Sequence, residues 1–240
     1  MIKYCKNCLF PETKPDLEFN NKGVCNACTN YFNRPEVDWN NRREEFIELA
    51  SSIKSESNWD CVIPISGGKD STYQALKAKK YGLNPLLVNS RTCDLSSIGR
   101  KNIDNLRSLG FDAIEVLPNP KIRSKLNLIG LKEVGDISWP EHIGMFTIPF
   151  TIALKFDIPI IFYGENPQHE YGGPEHFVNN RHQDRRWLEE IGGTLGMRLE
   201  DVLLSEEIER KDLNIYKFPD SKDLKERNIR AYYLGYFFPW

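Results

Sequence analysis

The sequence predicts an α/β fold built on a parallel, Rossmann-like sheet and preceded by a small four-cysteine ribbon. Three observations carry this expectation. From Trp59 onward, short apolar runs alternate with helix-patterned stretches, the order that generates strand–helix–strand units and a parallel sheet. The first of these runs ends in a glycine turn, Ser66-Gly67-Gly68-Lys69-Asp70-Ser71. Finally, Cys5, Cys8, Cys25 and Cys28 are spaced C-x2-C-x16-C-x2-C, apart from the lone Cys61 and Cys93.

The elements follow in order. Residues 1–35 form the cysteine module, with Gly23 and the Asn-rich stretches around it suited to tight turns. Two thiolate pairs with two-residue gaps can each wrap one face of a cation, and tetrahedral zinc in a closed, structural site is the usual occupant. An iron–sulfur cluster and two disulfides are the alternatives. Residues 36–58 carry Phe46, Ile47, Leu49, Ala50 and Ile53 at helical spacing and read as a linking helix before the main domain, 59–240. Cys61–Ile65 reads as a buried strand, Ser71–Lys80 as a helix ended near Gly82, and Pro85–Asn89 as a second strand. Ser96 or Ser97 caps a helix with Ile98, Ile103, Leu106 and Leu109, stopped by Gly110. Ala113–Leu117 is a third strand. Pro118, Pro120, Gly130 and Gly135 then punctuate a loop with one short helix, and His142–Phe156 is a buried helix that Pro149 kinks or splits. Ile158–Tyr163 is the fourth strand, Leu213–Phe218 alternates like another, and the aromatic end, 232–240, calls for packing partners on the body or on another subunit.

Composition narrows the function. Of the 240 residues, 40% are hydrophobic and 28% charged, as in an ordinary globular protein. A net charge of −2 argues against a surface built to neutralise nucleic-acid phosphates. No apolar run approaches the roughly 20 residues a membrane span takes, so no membrane insertion is expected. Residues 1–5 contain no apolar signal region, and a cytoplasmic chain follows.

The turn Ser66–Ser71 is the most informative segment. Two glycines remove side-chain bulk and permit positive φ, and a helix that starts at once aims its unpaired N–H groups into the turn. That geometry binds phosphate. Ser66 and Ser71 add hydroxyls, Lys69 a charge, and Asp70 a carboxylate for magnesium. A bare turn in which the glycines only relieve strain would not need the flanking Ser, Asp and Ser. The pattern is neither G-x-x-x-x-G-K-[ST] nor G-x-G-x-x-G.

Ser-Gly-Gly-Lys-Asp-Ser resembles the signature of the PP-loop ATP pyrophosphatases, whose domains are adenine nucleotide alpha hydrolase-like. Within that superfamily the chain is similar to the N-acetyl sugar amidotransferases of bacterial surface-polysaccharide (lipopolysaccharide O-antigen) and flagellar sugar biosynthesis. The likeness covers the two cysteine pairs, Pro64–Gln74, Asn84–Val88, Trp139-Pro140-Glu141-His142, Gly164–Gln168 and Glu170–Gly173. Members are typically longer, so a C-terminal portion is expected beyond this chain. The resemblance implies an ATP-dependent ligase that adenylylates the carbonyl oxygen of an acetamido sugar, free or nucleotide-linked, and releases pyrophosphate. Ammonia then displaces AMP to leave an acetamidino group. ATP, Mg2+ and structural Zn2+ are the implied cofactors.

Ligands of a parallel sheet gather at the carboxyl ends of its strands. That rule groups Ser66–Ser71 with Asn89 and Gly164 as nucleotide contacts, with Lys69, Asp70 and Glu165 as the catalytic set. His142, Asn166, His169, Glu170 and Tyr171 are the candidate sugar contacts. Arg181, His182, Arg185 and Arg186 read as a solvated basic face that can also hold an anion. Residue 2 is Ile, and neither Cys61 nor Cys93 lies on a glycine-flanked elbow, so a separate glutaminase subunit or free ammonium is expected to supply the nitrogen. A tRNA-thiolating PP-loop enzyme and a nucleotide-binding scaffold without turnover are the competing readings.

Overall fold

A computed structural model describes residues 2–14, 17–33, 36–91, 95–164, 181–183, 185, 189, 193–203 and 208–240. Six strands form one sheet: β1 Cys61–Pro64, β2 Pro85–Ser90, β3 Asp112–Val116, β4 Ile160–Tyr163, β5 His182–Gln183 and β6 Arg230–Tyr233, in the order β3-β2-β1-β4-β6-β5. The first five in that order run parallel, and the two-residue β5 pairs antiparallel with β6 at the edge. The chain builds outward from β1 to β3, then crosses back to place β4 on the other side of β1. That reversal is the switch point at which α/β sheets open a crevice.

Strand alternation sorts the core into two layers. Helix α1 (Asn26–Phe32) belongs to the cysteine module; in the sheet, Cys61, Ile63, Leu87, Ile160, Phe162 and Tyr232 face one side, against α2 (Trp39–Ile53), α3 (Lys69–Lys80) and α4 (Ser97–Ser108). Val62, Leu86, Val88, Ile161, Ala231 and Tyr233 face the other, against α6 (Trp139–Phe156). With both faces covered, the strands read as continuous apolar runs. Helix α2 is a core element: Phe46 is fully buried and touches Phe162, Phe237 and Phe238 at ring separations of 5.5, 5.4 and 5.0 Å. The aromatic end thus packs back onto the body.

Several expectations give way. The stretch after β3 read as a loop with one short helix is instead the 15-residue helix α5, Pro120–Val134. Its proline and glycine are termini: Asn119 caps it, Pro120 occupies the first turn, and Gly135 at φ 74° ends it. Gly130 lies inside because the turn into α6 crosses it closely; a Cβ there would come within 2.5 Å of the Asp136 carbonyl oxygen. Helix α6 runs through Pro149 unbroken, and burial of ten of its residues outweighs a cost of about 3 kcal/mol. Leu213–Phe218 is no strand: residues Arg210–Tyr216 form a 3-10 helix. Leu213 and Tyr216, three apart, bury the same side of it. The strand β6, Arg230–Tyr233, runs into the segment read as an aromatic tail and takes up its first two residues. Among the described residues, no helix is long and apolar enough to cross a membrane.

Phe46→Ala is expected to lower the unfolding free energy by about 3–5 kcal/mol in urea titrations. The neighbouring Ile47→Ala, 44% exposed, should stay within about 0.5 kcal/mol.

Candidate functional site

An open cleft of about 840 Å3 lies over the carboxyl ends of β1 and β4. Its first wall is the turn after β1. Gly67 is buried at φ 81°, and a Cβ there would stand 2.5 Å from the Gly99 carbonyl oxygen, so both conformation and space demand glycine. Helix α4 clamps this turn, with Asn102 Nδ2 donating to the Gly67 carbonyl at 2.7 Å. Ser96, the α4 cap, fixes the approach by accepting from Gly99 N at 3.1 Å. Gly68 begins α3 without a side-chain acceptor, which leaves the helix start open to an anion. The Ser71 hydroxyl accepts from Ser66 N at 3.3 Å and donates to the Gly68 carbonyl at 3.2 Å, so it braces the loop from inside.

Ser66, Asp70, Ser71, Gly164 and His142 all line the cleft. Lys69 does not. Its side chain is 90% exposed and its ammonium lies 2.9 Å from Asp70 Oδ1; such a solvated pair is weak enough for a phosphate to displace. Asn89 also misses the cleft. It shares its sheet face with Leu87, is buried, and donates to the Ile65 carbonyl at 2.6 Å. Strand alternation puts Ser90, alongside Val88, on the cleft instead. Gly164 is crowded: a Cβ would meet Gln74 Nε2 at 2.8 Å and the Trp240 ring at 3.3 Å, and its carbonyl accepts from Gly235 N at 2.9 Å. Glu165, Asn166, His169, Glu170 and Tyr171 lie outside the described residues, as do Cys93 and Arg186. Arg181 and Arg185 are engaged in ion pairs, with Glu45 at 3.3 Å and Glu189 at 2.7 Å.

The opposite wall comes from α5 and α6; of its residues the sequence singled out His142 and, through the resemblance, Glu141, but not Ser124, Asn127, Ser138 or Met145. Glu141 accepts from Asn127 Nδ2 at 2.9 Å, and Ser124, Ser138 and Met145 flank it. His142 Nδ1 is 2.8 Å from Asp136 Oδ2. Tyr163 forms part of the floor; burial, then the neighbouring Tyr233, hold its phenol well above the usual range, and its hydroxyl donates to the Phe146 carbonyl at 3.1 Å. It is a fixed donor and not a base. Burial also raises the Cys61 thiol, with Asp60 adding to the effect, and removes it as a nucleophile.

In the cysteine module the four sulfurs lie within 4.8 Å of one another. Cys8 and Cys25 are 3.6 Å apart and Cys5 and Cys28 4.0 Å. These spacings far exceed a disulfide bond of about 2.05 Å and bracket the edge of about 3.8 Å that a tetrahedron with Zn–S bonds of about 2.3 Å requires. They leave little room for the inorganic core of a multi-iron cluster. Burial would raise the Cys5 thiol, but N–H groups of Cys8, Cys25 and Asn7 pull it down to about 6. Burial and the adjoining sulfurs push Cys25 up to about 12. Asn7 Nδ2 also donates to Cys28 Sγ at 3.2 Å. Donors aimed at sulfur suit thiolates, so the four residues can hold a tetrahedral metal ion.

Fold and cleft together define a doubly wound α/β protein with a glycine turn at its switch point whose geometry suits an anion, and with four clustered cysteines that could hold a metal ion. No protein-family model matches the chain, and no curated protein matches it. Among solved structures, NMN synthetase from Francisella tularensis aligns over 80% of this chain and 92% of its own, at 14% identity and a TM-score of 0.42. NH3-dependent NAD synthetase from Campylobacter jejuni subsp. jejuni NCTC 11168, in complex with the nitrate ion, aligns over 80% and 94%, at 13% identity and a TM-score of 0.42.

Elemental analysis of the purified protein is expected to find one zinc per chain. Cys25→Ser, which removes a fully buried ligand, should lose the metal and expose residues 2–33 to protease.

Proposed function

We propose that the protein is an ATP-dependent amidotransferase of the PP-loop type that converts the acetamido group of a sugar into an acetamidino group. The observation that carries this reading is the position of Ser66–Ser71: a strand enters it, a helix leaves it, and it forms one wall of a cleft whose other wall sets Glu141, Asn127 and His142 among apolar side chains such as Ile137, Met145 and Phe146. The resemblance of the motifs to the N-acetyl sugar amidotransferases supplies the substrate class.

The chemistry suits these groups. An amide carbon is a poor electrophile because its oxygen leaves badly. Attack of that oxygen on the α-phosphate of ATP makes it part of a good leaving group, AMP, and expels pyrophosphate. The protein must therefore offset charge on the departing phosphates more than it must supply a nucleophile. The open start of α3 and the Ser66 hydroxyl are positioned for that task, and Lys69 can exchange Asp70 for a phosphate. Asp70, 46% exposed on the cleft wall, fits as the protein ligand of magnesium, which would neutralise phosphate oxygens. Zinc in the cysteine module would be structural.

On this reading nitrogen would come from a separate glutaminase or from free ammonium; Cys61, sealed in the core, is no candidate for a glutaminase nucleophile. That burial also leaves a tRNA-thiolating reaction without a cleft thiol among the described residues.

Pyrophosphate exchange into ATP is the direct test. It should require an N-acetylated sugar, and with ammonium present mass spectrometry should show oxygen replaced by NH in the product. Exchange without any sugar dependence would overturn the reading. Asp70→Asn is expected to slow exchange about 10²-fold. Gly67→Ala should weaken ATP binding at least about tenfold in calorimetry, because the loop must move off Gly99. Gly196→Ala, also at positive φ but in open space, should leave binding unchanged and cost about 1–2 kcal/mol of stability.

A further inference from the structure

We propose that His142 is the base that deprotonates the incoming ammonium in the second half of the reaction, with Asp136 as its positioning residue. The proposal rests on the amidotransferase reading. The turn between α5 and α6 builds the pair. Asp136 N donates to the Gly130 carbonyl at 3.1 Å, and its carboxylate is held at Oδ1 by Ser138 N at 2.8 Å. Its second oxygen, Oδ2, meets His142 Nδ1 at 2.8 Å, one turn into α6. A carboxylate only accepts, so Nδ1 carries the hydrogen, and Nε2 of the neutral ring keeps its lone pair. Among the described residues no hydrogen bond reaches Nε2. Gly193 packs against the root of the ring, where a Cβ would stand 2.6 Å from His142 Cβ and 2.9 Å from Cγ. Trp139 Nε1 fastens that turn through the Thr194 carbonyl at 3.2 Å.

The imidazole is thus oriented from behind and packed at its root, and it lines the same cleft as Ser66 and Asp70. Asp136 is largely covered at 18% side-chain exposure, while His142 stays open at 41%. A histidine serving only to pack would not need its tautomer fixed by a carboxylate that the backbone already holds. The second half-reaction needs such a group. At neutral pH most ammonia is ammonium, which has no lone pair, and imidazole is the side chain suited to proton transfer there. The ammonium gives a proton to Nε2, and the freed lone pair forms the C–N bond. The C–O bond to AMP breaks with its electrons on the phosphate oxygen, and the proton passes from Nε2 to solvent.

The test compares the two half-reactions in the full chain, with N-acetylglucosamine and UDP-N-acetylglucosamine as probes. In His142→Gln the ratio of amidine formed to pyrophosphate exchanged is expected to fall about 10²-fold or more. Asp136→Asn should lower the same ratio at least about tenfold. Hydroxylamine, already unprotonated at neutral pH, should restore product in both variants when it replaces ammonium. A parallel fall of exchange and product, an unchanged ratio, or failure of hydroxylamine to restore product would each overturn the assignment of His142. Absence of sugar-dependent exchange in the unsubstituted protein would instead overturn the amidotransferase reading itself, and the assignment with it.

Discussion

Gly67 is the point on which the site turns. Its backbone enters the left-handed region at φ 81° while its Cα faces the Gly99 carbonyl at a distance that leaves no room for a side chain. Only this tight crossing lets the chain leave β1, pass under the first turn of α4 and start α3 immediately. The helix start, the two serines and Asp70 are all placed by that crossing. Asn102 and Ser96 then hold α4 in the position that the crossing assumes. A loop of this kind is costly to form alone and inexpensive once α4 is packed, so its geometry is a property of the α2–α3–α4 layer and not of the hexapeptide.

The two walls of the cleft differ in character. One is made of backbone donors and hydroxyls at the end of β1, suited to anions. The other presents Glu141, Asn127 and the His142–Asp136 pair from α5 and α6, suited to groups that donate hydrogens or shed protons. Under the proposed function the two walls would serve opposite electrostatic needs, a triphosphate on one side and a nitrogen nucleophile on the other.

How much of this was legible depends on the range of the forces involved. The Ser66–Ser71 turn and the paired cysteines announce themselves because their chemistry is local: a few neighbouring residues suffice to define an anion turn or a metal clasp. The layer order followed from alternation of apolar runs. Pro120 and Gly135 misled because the residues that break helices also begin and end them, and only the Gly130–Trp139 crossing shows that they bound one long helix. β6 was hidden because Tyr232 and Tyr233 bury opposite faces, leaving no polar partner in the pattern. Asn89 and Ser90 exchanged places through a single step of strand parity. Of the wall from α5 and α6 only the Glu141-His142 end was legible; Asn127 joins it where two helices meet, 14 residues from Glu141, and nothing local signals that meeting.

The rim of the cleft at Gly164 carries a consequence for timing. Its carbonyl is held by Gly235 N, and the Trp240 ring stands over it. Synthesis proceeds from the N-terminus, so β1, its glycine turn and both helical layers leave the ribosome well before these props do. During translation the anion turn is present while the β4 side of the groove is unbraced. The β4 side of the groove thus owes its shape to contacts from residues about 70 positions further along the chain, and it cannot be braced before they are made.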